Sequence, residues 1–190
     1  MKKTLLLIIT LAFTVLVAAG DNVPATILAM HKPDEKIECN FTETKVMPKM
    51  KKTTQRTGKM VFQAPEDLRM DFDEPAGDYT LIKKDVFEVC KNGKVQHFNV
   101  KNPEHRMGTY RATLLYCLAG QVEKAAKLNE AQTQYKTTGD KYICTLTTDK
   151  AKTSAREISS LVLEYNKKTG RLTSMTLTEG NGNYTTYSVH

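Results

Sequence analysis

The sequence has little of what collagen-like, disordered or polytopic membrane proteins need. Its 190 residues include only 10 glycines and 6 prolines, and 26% are charged, so neither a glycine repeat nor a biased composition is present. One domain, or at most two small ones, fits this length. The formal net charge is +7. Without the first 20 residues, which hold two lysines and no acid, the charge falls to +5.

Long apolar runs are also lacking, with one exception at the N-terminus. A basic start precedes an apolar run from Leu5 to Val17, and three small residues follow. This pattern predicts a cleavable secretory signal peptide over residues 1–20, with cleavage after Ala19 or Gly20. A membrane anchor is the alternative, but the run is shorter than the roughly 20 residues that a bilayer span needs. Residues 21–190 are therefore predicted to form one exported domain.

The four cysteines do not have the spacing of a metal site. Zinc sites use close pairs such as C-x2-C, which are absent, and His97 and His105 are widely spaced. A Cys–His nucleophile lacks a glycine-rich elbow and an acidic orienting residue. We therefore expect no enzyme, no metal and no cofactor. Export favours disulfides, whose pairing stays open, or else buried thiols. The cysteines concerned are Cys39, Cys90, Cys117 and Cys144.

Two charged segments carry no specific signal. The acids between Asp67 and Glu74 match neither the spacing of a calcium loop nor a catalytic carboxylate pair. The basic run Lys45–Arg56 lacks the interleaved aromatic residues of a single-strand nucleic-acid site, so no nucleic-acid partner is expected. The run is predicted to be a mobile hairpin loop. It is either simply solvated or touches an anionic membrane surface or a partner.

Alternation of apolar and polar residues predicts strands. It is clear in Ile37–Phe41, Met60–Phe62 and Leu68–Phe72. Asn92-Gly93 between two strand-like runs is a strong hairpin signal. Short consecutive strands with tight turns favour an antiparallel meander. The other predicted strands are Tyr79–Lys83, Val86–Cys90, Val95–Val100, Lys141–Thr147, Ser160–Tyr165, Leu172–Thr178 and Tyr184–Val189.

The apolar period changes to that of a helix between Met107 and about Lys127. This amphipathic helix is expected to be broken near Gly120. A second, shorter helix is predicted over Val23–Met30, ahead of Pro33. The apolar stripe of the long helix consists of Met107, Tyr110, Leu114, Leu118 and Val122.

Each predicted strand is apolar on one face only, so the sheet must curl or be covered. A sheet of nine or ten strands tends to close or bend, and the central helix is the obvious cover for its open side. Methionines on the apolar face adapt to irregular shapes. The face either fills a core or lines a lipid cavity, and these alternatives stay open. The residues assigned to it are Met60, Phe62, Met70, Phe72, Leu81, Phe87, Met175 and Leu177.

Several motifs follow one another in a characteristic order behind the predicted signal peptide. Gly58–Pro75 reads GKMVFQAPEDLRMDFDEP, two strands that each end near a proline, and Phe41–Lys45 reads FTETK. These motifs resemble the periplasmic lipoprotein carrier family, the LolA-like proteins, whose opening strand has the pattern F-x-Q-x-K. The resemblance covers most of residues 25–189. The other similar pieces are Tyr79–Lys83, Phe87–Val89, the lid-like Leu114–Gly120, and the closing strands Leu161–Tyr165, Leu172–Thr178 and Gly182–Thr185.

The resemblance implies a mainly β fold with helices (α+β), an unclosed and strongly curved antiparallel β-barrel covered by a helical lid. Members of the family carry lipoprotein acyl chains through the periplasm, from an inner-membrane transporter to an outer-membrane acceptor, without catalysis. We therefore expect a monomeric periplasmic carrier with the Met107–Val122 helix as its lid. The alternative is an exported β-domain that acts as an envelope interaction module, or binds another lipid, without lipoprotein transfer.

One position departs from the family pattern. Well-studied carriers have an arginine, linked to opening, closing and handover, just before the proline that aligns with Pro65. Ala64 stands there in this chain. Lys59 and Arg69 are not expected to replace that arginine, because alternation puts both on the face opposite Met60.

Overall fold

The computed structural model describes residues 22–100, 106–149 and 153–190, which form eleven strands and three α-helices. The predicted signal peptide, residues 1–20, and His105 lie outside the described residues. A short 3-10 turn, Pro48–Met50, joins the first two strands. In chain order the elements are α1 (Val23–Ala29), β1 (Lys36–Met47), β2 (Lys52–Gln63), β3 (Asp67–Phe72), β4 (Tyr79–Lys83), β5 (Val86–Lys91), β6 (Lys94–His97), α2 (Arg106–Leu118), α3 (Val122–Leu128), β7 (Gln132–Thr138), β8 (Lys141–Thr147), β9 (Ile158–Asn166), β10 (Leu172–Glu179) and β11 (Tyr184–Val189).

All eleven described strands belong to one antiparallel sheet in the order β6-β5-β4-β3-β2-β1-β11-β10-β9-β8-β7. Two meanders, β1 to β6 and β7 to β11, are joined where β1 pairs with β11 from Phe41↔Val189 to Val46↔Tyr184. The edge strands β6 and β7 do not pair with each other, so the sheet is not closed. The structure confirms the predicted unclosed, mainly β fold with helices.

The core lies on one face of this sheet. In β3, Leu68, Met70 and Phe72 are buried while the alternating Arg69 is exposed. The same alternation runs through β8 and β9, as expected for a sheet with one apolar face. All three described helices add buried side chains to that apolar cluster, including Ile27 of α1. The helices therefore cover the face that the alternation predicted.

The predicted break in the long helix occurs at Gly120. Its φ of +67° is a left-handed conformation that glycine adopts without steric cost. A Cβ at this position would also collide with the ring of His31. The chain therefore turns between α2 and α3, and the predicted stripe is divided between two helices. Among the described residues, no helix is both long and apolar enough to cross a bilayer.

The segment Lys45–Arg56 forms a hairpin, as predicted, but most of it is paired strand rather than loop. The two strands continue through it as a ribbon, with Lys45 opposite Thr54 and Glu43 opposite Arg56. Only the Pro48–Met50 turn interrupts them. The segment lacks apolar alternation because few of its side chains pack on the core. Backbone hydrogen bonds between the two strands and cross-strand side-chain pairs stabilise this segment in place of core packing.

Two edge strands also differ from the prediction. β7 was not predicted, because all seven of its residues are exposed and carry no apolar period. β6 ends at His97, so the predicted strand Val95–Val100 begins one residue late and extends three residues too far. Phe98 and Val100 instead pack against the core as half-buried side chains.

Candidate functional site: a cavity under the second helix

A cavity of about 1160 Å³ is bounded by the inner face of the sheet and by α2. This volume exceeds the roughly 300–1,000 Å³ of typical small-molecule pockets. The wall of the cavity has polar and charged side chains and an apolar part. The apolar part comes from both meanders and from α2. The apolar part includes Met70, Phe87, Val89, Leu177, Met107, Tyr110 and Leu114.

A second gap, towards the other end of the inner face, is filled by the protein itself. Only about 10 Å³ remains there, which is barely the space of one water molecule. Phe41, Met60 and Met175 close it from the sheet, and Leu118 closes it from α2. The inner face is thus a packed core at one end and an open cavity at the other.

The sequence-assigned cavity residues divide between these two regions. Phe87 and Leu177 line the large cavity, and Met70 lines both spaces. Met60 and Met175 line the filled gap, and Phe62 and Phe72 are buried in the core without lining either space. Of the assigned lid residues, Met107 and Tyr110 line the large cavity, Leu114 lines both, Leu118 lines only the filled gap, and Val122 is buried in α3.

Leu81 lies on the opposite face of the sheet. It pairs with Arg69 and Glu88, whereas its neighbour Ile82 is fully buried opposite Leu68. Leu81 and Ile82 are adjacent apolar residues in β4, so the alternation of apolar and polar residues does not show which of the two faces inward. A one-residue shift reverses the face of every side chain, so Ile82 occupies the inward position predicted for Leu81.

Three charged side chains form an ionic cluster on the cavity wall. The Nη2 atom of Arg56 lies 2.7 Å from Oε1 of Glu43, and its Nη1 atom lies 3.6 Å from Oδ2 of Asp78. The guanidinium also stacks on Phe72, with Cζ 3.6 Å from the ring centroid. All three charged residues line the cavity, and two carboxylates share one cation.

Asp78 is the most deeply buried member of the cluster, with 2% of its surface exposed. Its Oδ1 accepts a 2.6 Å hydrogen bond from the backbone N–H of Asn92, at the β5–β6 turn. Its Oδ2 has no hydrogen-bond partner among the described residues, so Arg56 is its main compensation. The sequence does not predict this cluster, because the segment around Arg56 lacks the apolar alternation of a strand.

Helix α2 is held over the cavity by two consecutive residues. The ring of Tyr110 stacks on Phe87, and its hydroxyl lies 3.3 Å from that of Tyr187. Burial raises the pKa of Tyr110 to about 12, so its phenol stays neutral. The Nη2 atom of Arg111 donates to the backbone oxygens of Lys83 and Lys84, at 3.0 and 2.8 Å.

The side chains near the family arginine position lie as the sequence predicts. Ala64 is half-buried against the core, and Lys59 is exposed on the outer face. Arg69 also faces outward, where its Nη2 atom donates to Oδ1 of Asp71 at 2.6 Å. Arg56, by contrast, lines the cavity, and Arg111 contacts the turn between β4 and β5.

The four cysteines are free thiols in the structure. Burial raises the pKa of Cys144 to about 12 and that of Cys117 still further above its ordinary value. Both thiols therefore stay protonated and unreactive within the core. Nowhere in the described part of the chain do three or more histidine, cysteine or acidic residues gather into a group that could hold a metal ion.

Several solved structures are similar to this one at low sequence identity. A LolA superfamily protein from Nitrosomonas europaea is 9% identical, covering 88% of this chain and 90% of its own, with a TM-score of 0.42. An uncharacterized conserved protein from Thermus thermophilus is 8% identical, with coverages of 87% and 83% and a TM-score of 0.47. Lipoprotein LppX from Mycobacterium tuberculosis is 10% identical, with coverages of 88% and 93% and a TM-score of 0.38.

The sequence itself has one informative match. No curated relative matches it. The family model of the outer membrane lipoprotein carrier protein LolA, however, matches residues 35–190. This range includes the whole sheet from β1 to β11, together with α2 and α3. The chain belongs to the LolA family of lipoprotein carriers.

Proposed function

We propose that this protein is a non-catalytic periplasmic carrier, which shields the acyl chains of lipoproteins in its cavity and transfers them towards the outer membrane. The observation that supports this proposal is the cavity of about 1160 Å³ under α2, in a chain of this family. Each exposed CH2 of an acyl chain costs about 0.8 kcal/mol in water. A carrier must therefore hide the chain and still release it.

The division of the inner face fits this task. The packed end supplies stability without a ligand, and the open end offers apolar surface from Met70, Phe87 and Leu177. Acyl chains would lie against these side chains. The polar residues of the same cavity, such as Lys45 and Arg56, would face the polar glyceryl and peptide portion of the cargo.

Helix α2 is the lid in this proposal. It holds to the sheet near the cavity through the Tyr110 contacts and the Arg111 hydrogen bonds, and these contacts would open and close in this proposal. Lid opening of this kind admits and releases a ligand from a preformed sheet. Arg111 would hold the lid closed from the helix side, in a chain that has Ala64 where the family arginine stands.

Replacing Arg111 with alanine is expected to loosen the lid. The two hydrogen bonds from its guanidinium would be lost, and hydrogen bonds to charged groups contribute about 1.5 kcal/mol or more. Amide hydrogen exchange across α2 should therefore become roughly tenfold faster, measured by mass spectrometry on the ligand-free protein.

Arg69→Ala is the matched control for the lid experiment, since Arg69 pairs with Asp71 on the outer face. It should leave exchange in α2 unchanged. Exchange that increases equally in α2 and in β8 of the Arg111→Ala protein would indicate global destabilisation, and would contradict the lid role of Arg111.

The carrier function itself is tested on protein purified after export. We expect mass spectrometry to find an N-terminus at Gly20 or Asp21 and co-purified acyl-chain lipid. After lipid removal, the protein should raise the fluorescence of dansyl-undecanoic acid in a saturable manner. Donor and acceptor are then tested by moving a bound lipoprotein from inner-membrane to outer-membrane vesicles.

The competing function is that of an envelope interaction module without a lipid. That function predicts neither bound acyl chains nor a fluorescence change, and this pair of results would contradict the carrier proposal. Lipid binding without transfer of lipoproteins would instead support a binder of another lipid.

A further inference from the structure

The β1–β2 hairpin extends beyond its neighbour on one side of the sheet. β2 pairs with β3 only from Gly58 to Gln63, so residues 52–57 have no strand partner on that side. The ribbon ends in the Pro48–Met50 turn, whose three residues are all exposed. The hairpin tip is a projecting feature with a defined backbone.

The hairpin tip carries a concentrated positive charge. Lys45, Lys49, Lys51 and Lys52 are exposed, and the sequence has no acid between Glu43 and Glu66. None of these four lysines forms an ion pair with a described residue, so their charge faces solvent. Much of the protein's net charge of +7 is thus located at one end of one hairpin.

An apolar side chain stands at the centre of this charge. Met50 is 69% exposed, more than any other large hydrophobic side chain among the described residues. Lys49 and Lys51 flank it. The backbone of Lys51 has a φ of +50°, a left-handed conformation that glycine or asparagine adopts at lower cost. A thioether surrounded by lysines matches an anionic membrane surface, which offers phosphates to the charges and acyl chains to the methionine.

The hairpin tip lies next to the cavity. Lys45 and Thr54 lie on the two strands of this hairpin, and both line the cavity. A surface that contacts the tip therefore lies close to the polar rim of the cavity. Contact with a bilayer at this point brings the cavity to the place where a lipid leaves or enters a membrane.

We propose that the hairpin tip, residues 45–52, docks this protein on anionic phospholipid bilayers, with Met50 inserted and the lysines on the phosphates. This docking surface goes beyond the carrier function and does not depend on the identity of the cargo. Electrostatic attraction supplies most of the affinity, and the single methionine keeps the contact reversible.

The test uses protein purified after export, because a retained Leu5–Val17 run would itself enter vesicles. Flotation is measured with vesicles of phosphatidylcholine containing about a quarter phosphatidylglycerol, and with phosphatidylcholine alone. Binding is expected only to the anionic vesicles. It should be lost in about 1 M salt, where the Debye length is about 3 Å.

Variants of the tip locate the binding surface. Each lysine near an anionic surface contributes about fivefold in affinity, so Lys49→Gln/Lys51→Gln/Lys52→Gln should weaken binding roughly 100-fold. Met50→Gln should weaken it about tenfold. All four side chains are exposed, so the variants should keep the circular dichroism and thermal unfolding of the parent protein.

Lys167→Gln/Lys168→Gln is the matched control. These exposed lysines lie in the β9–β10 turn, near Arg171, whose contact with Glu35 puts that turn at the opposite end of β1. The control should bind anionic vesicles as the parent does. Absence of binding to anionic vesicles, or equal loss in the control and the tip variants, would overturn the docking proposal. Binding of dansyl-undecanoic acid needs no bilayer, so it tests the carrier proposal independently of the docking proposal.

Discussion

Replacing Val89 with aspartate is expected to weaken binding of dansyl-undecanoic acid about 100-fold, or ~2.7 kcal/mol. Val89 lies on β5 beside Phe87, and both side chains line the cavity. A carboxylate there either stays hydrated and displaces the acyl chain or is desolvated against it. Desolvating an ion costs several kcal/mol even in a relaxed protein environment. The affinity is measured by fluorescence titration of the lipid-free protein.

Val86 provides the same substitution on the same strand. It lies three positions before Val89 and so points to the opposite face, and it does not line the cavity. Val86→Asp should bind the probe within about threefold of the parent protein. If both variants bind equally well, the acyl chain does not occupy this cavity.

Replacing Arg56 with methionine is expected to lower the free energy of unfolding by about 3 kcal/mol. The methionine keeps a long side chain over Phe72 but removes the cation that two carboxylates of the cavity wall share. The side chains of Glu43 and Asp78 are only 12% and 1% exposed, so neither charge is well hydrated. Removing one partner of a buried ionic group costs more than the intact group contributes. Urea unfolding followed by circular dichroism measures the change.

Rescue distinguishes loss of charge compensation from loss of packing. Adding Glu43→Gln and Asp78→Asn to Arg56→Met should restore most of the stability, since no charge of the cluster then lacks a partner. Arg69→Met, which breaks an exposed pair with Asp71, should cost less than about 1 kcal/mol. A triple variant no more stable than Arg56→Met would show that the arginine acts through its stacking on Phe72.

Strong local alternation made much of the fold predictable from the sequence. β3 and β8 were predicted within one residue, because every second side chain is apolar and buried. The helix break was predicted from Gly120, whose backbone conformation few other residues adopt. The polar strand β7 and the ribbon through Lys45–Arg56 were missed, since a backbone ladder formed with a neighbour leaves no apolar pattern.

The cavity was only partly predictable, for a different reason. Periodicity assigned Met60, Met70 and Met175 to one face, and the structure puts all three there. It gave no means to distinguish Met70, which also reaches the open cavity, from Met60 and Met175, which line only the packed gap. That difference depends on how far α2 covers the sheet, which is a property of tertiary packing.

The sequence by itself determined the antiparallel sheet, its single apolar face and the helix that covers it, because these follow from the periods of neighbouring residues. That the sheet stays unclosed was implied only by the resemblance to the carrier family. Only the tertiary structure decided that one end of the face is filled and the other hollow. It also brought Glu43 of β1, Arg56 of β2 and Asp78, just before β4, together, and placed Arg111 against the backbone of Lys83 and Lys84. These contacts join residues that are distant in the chain, and the pattern of neighbouring residues does not indicate such contacts.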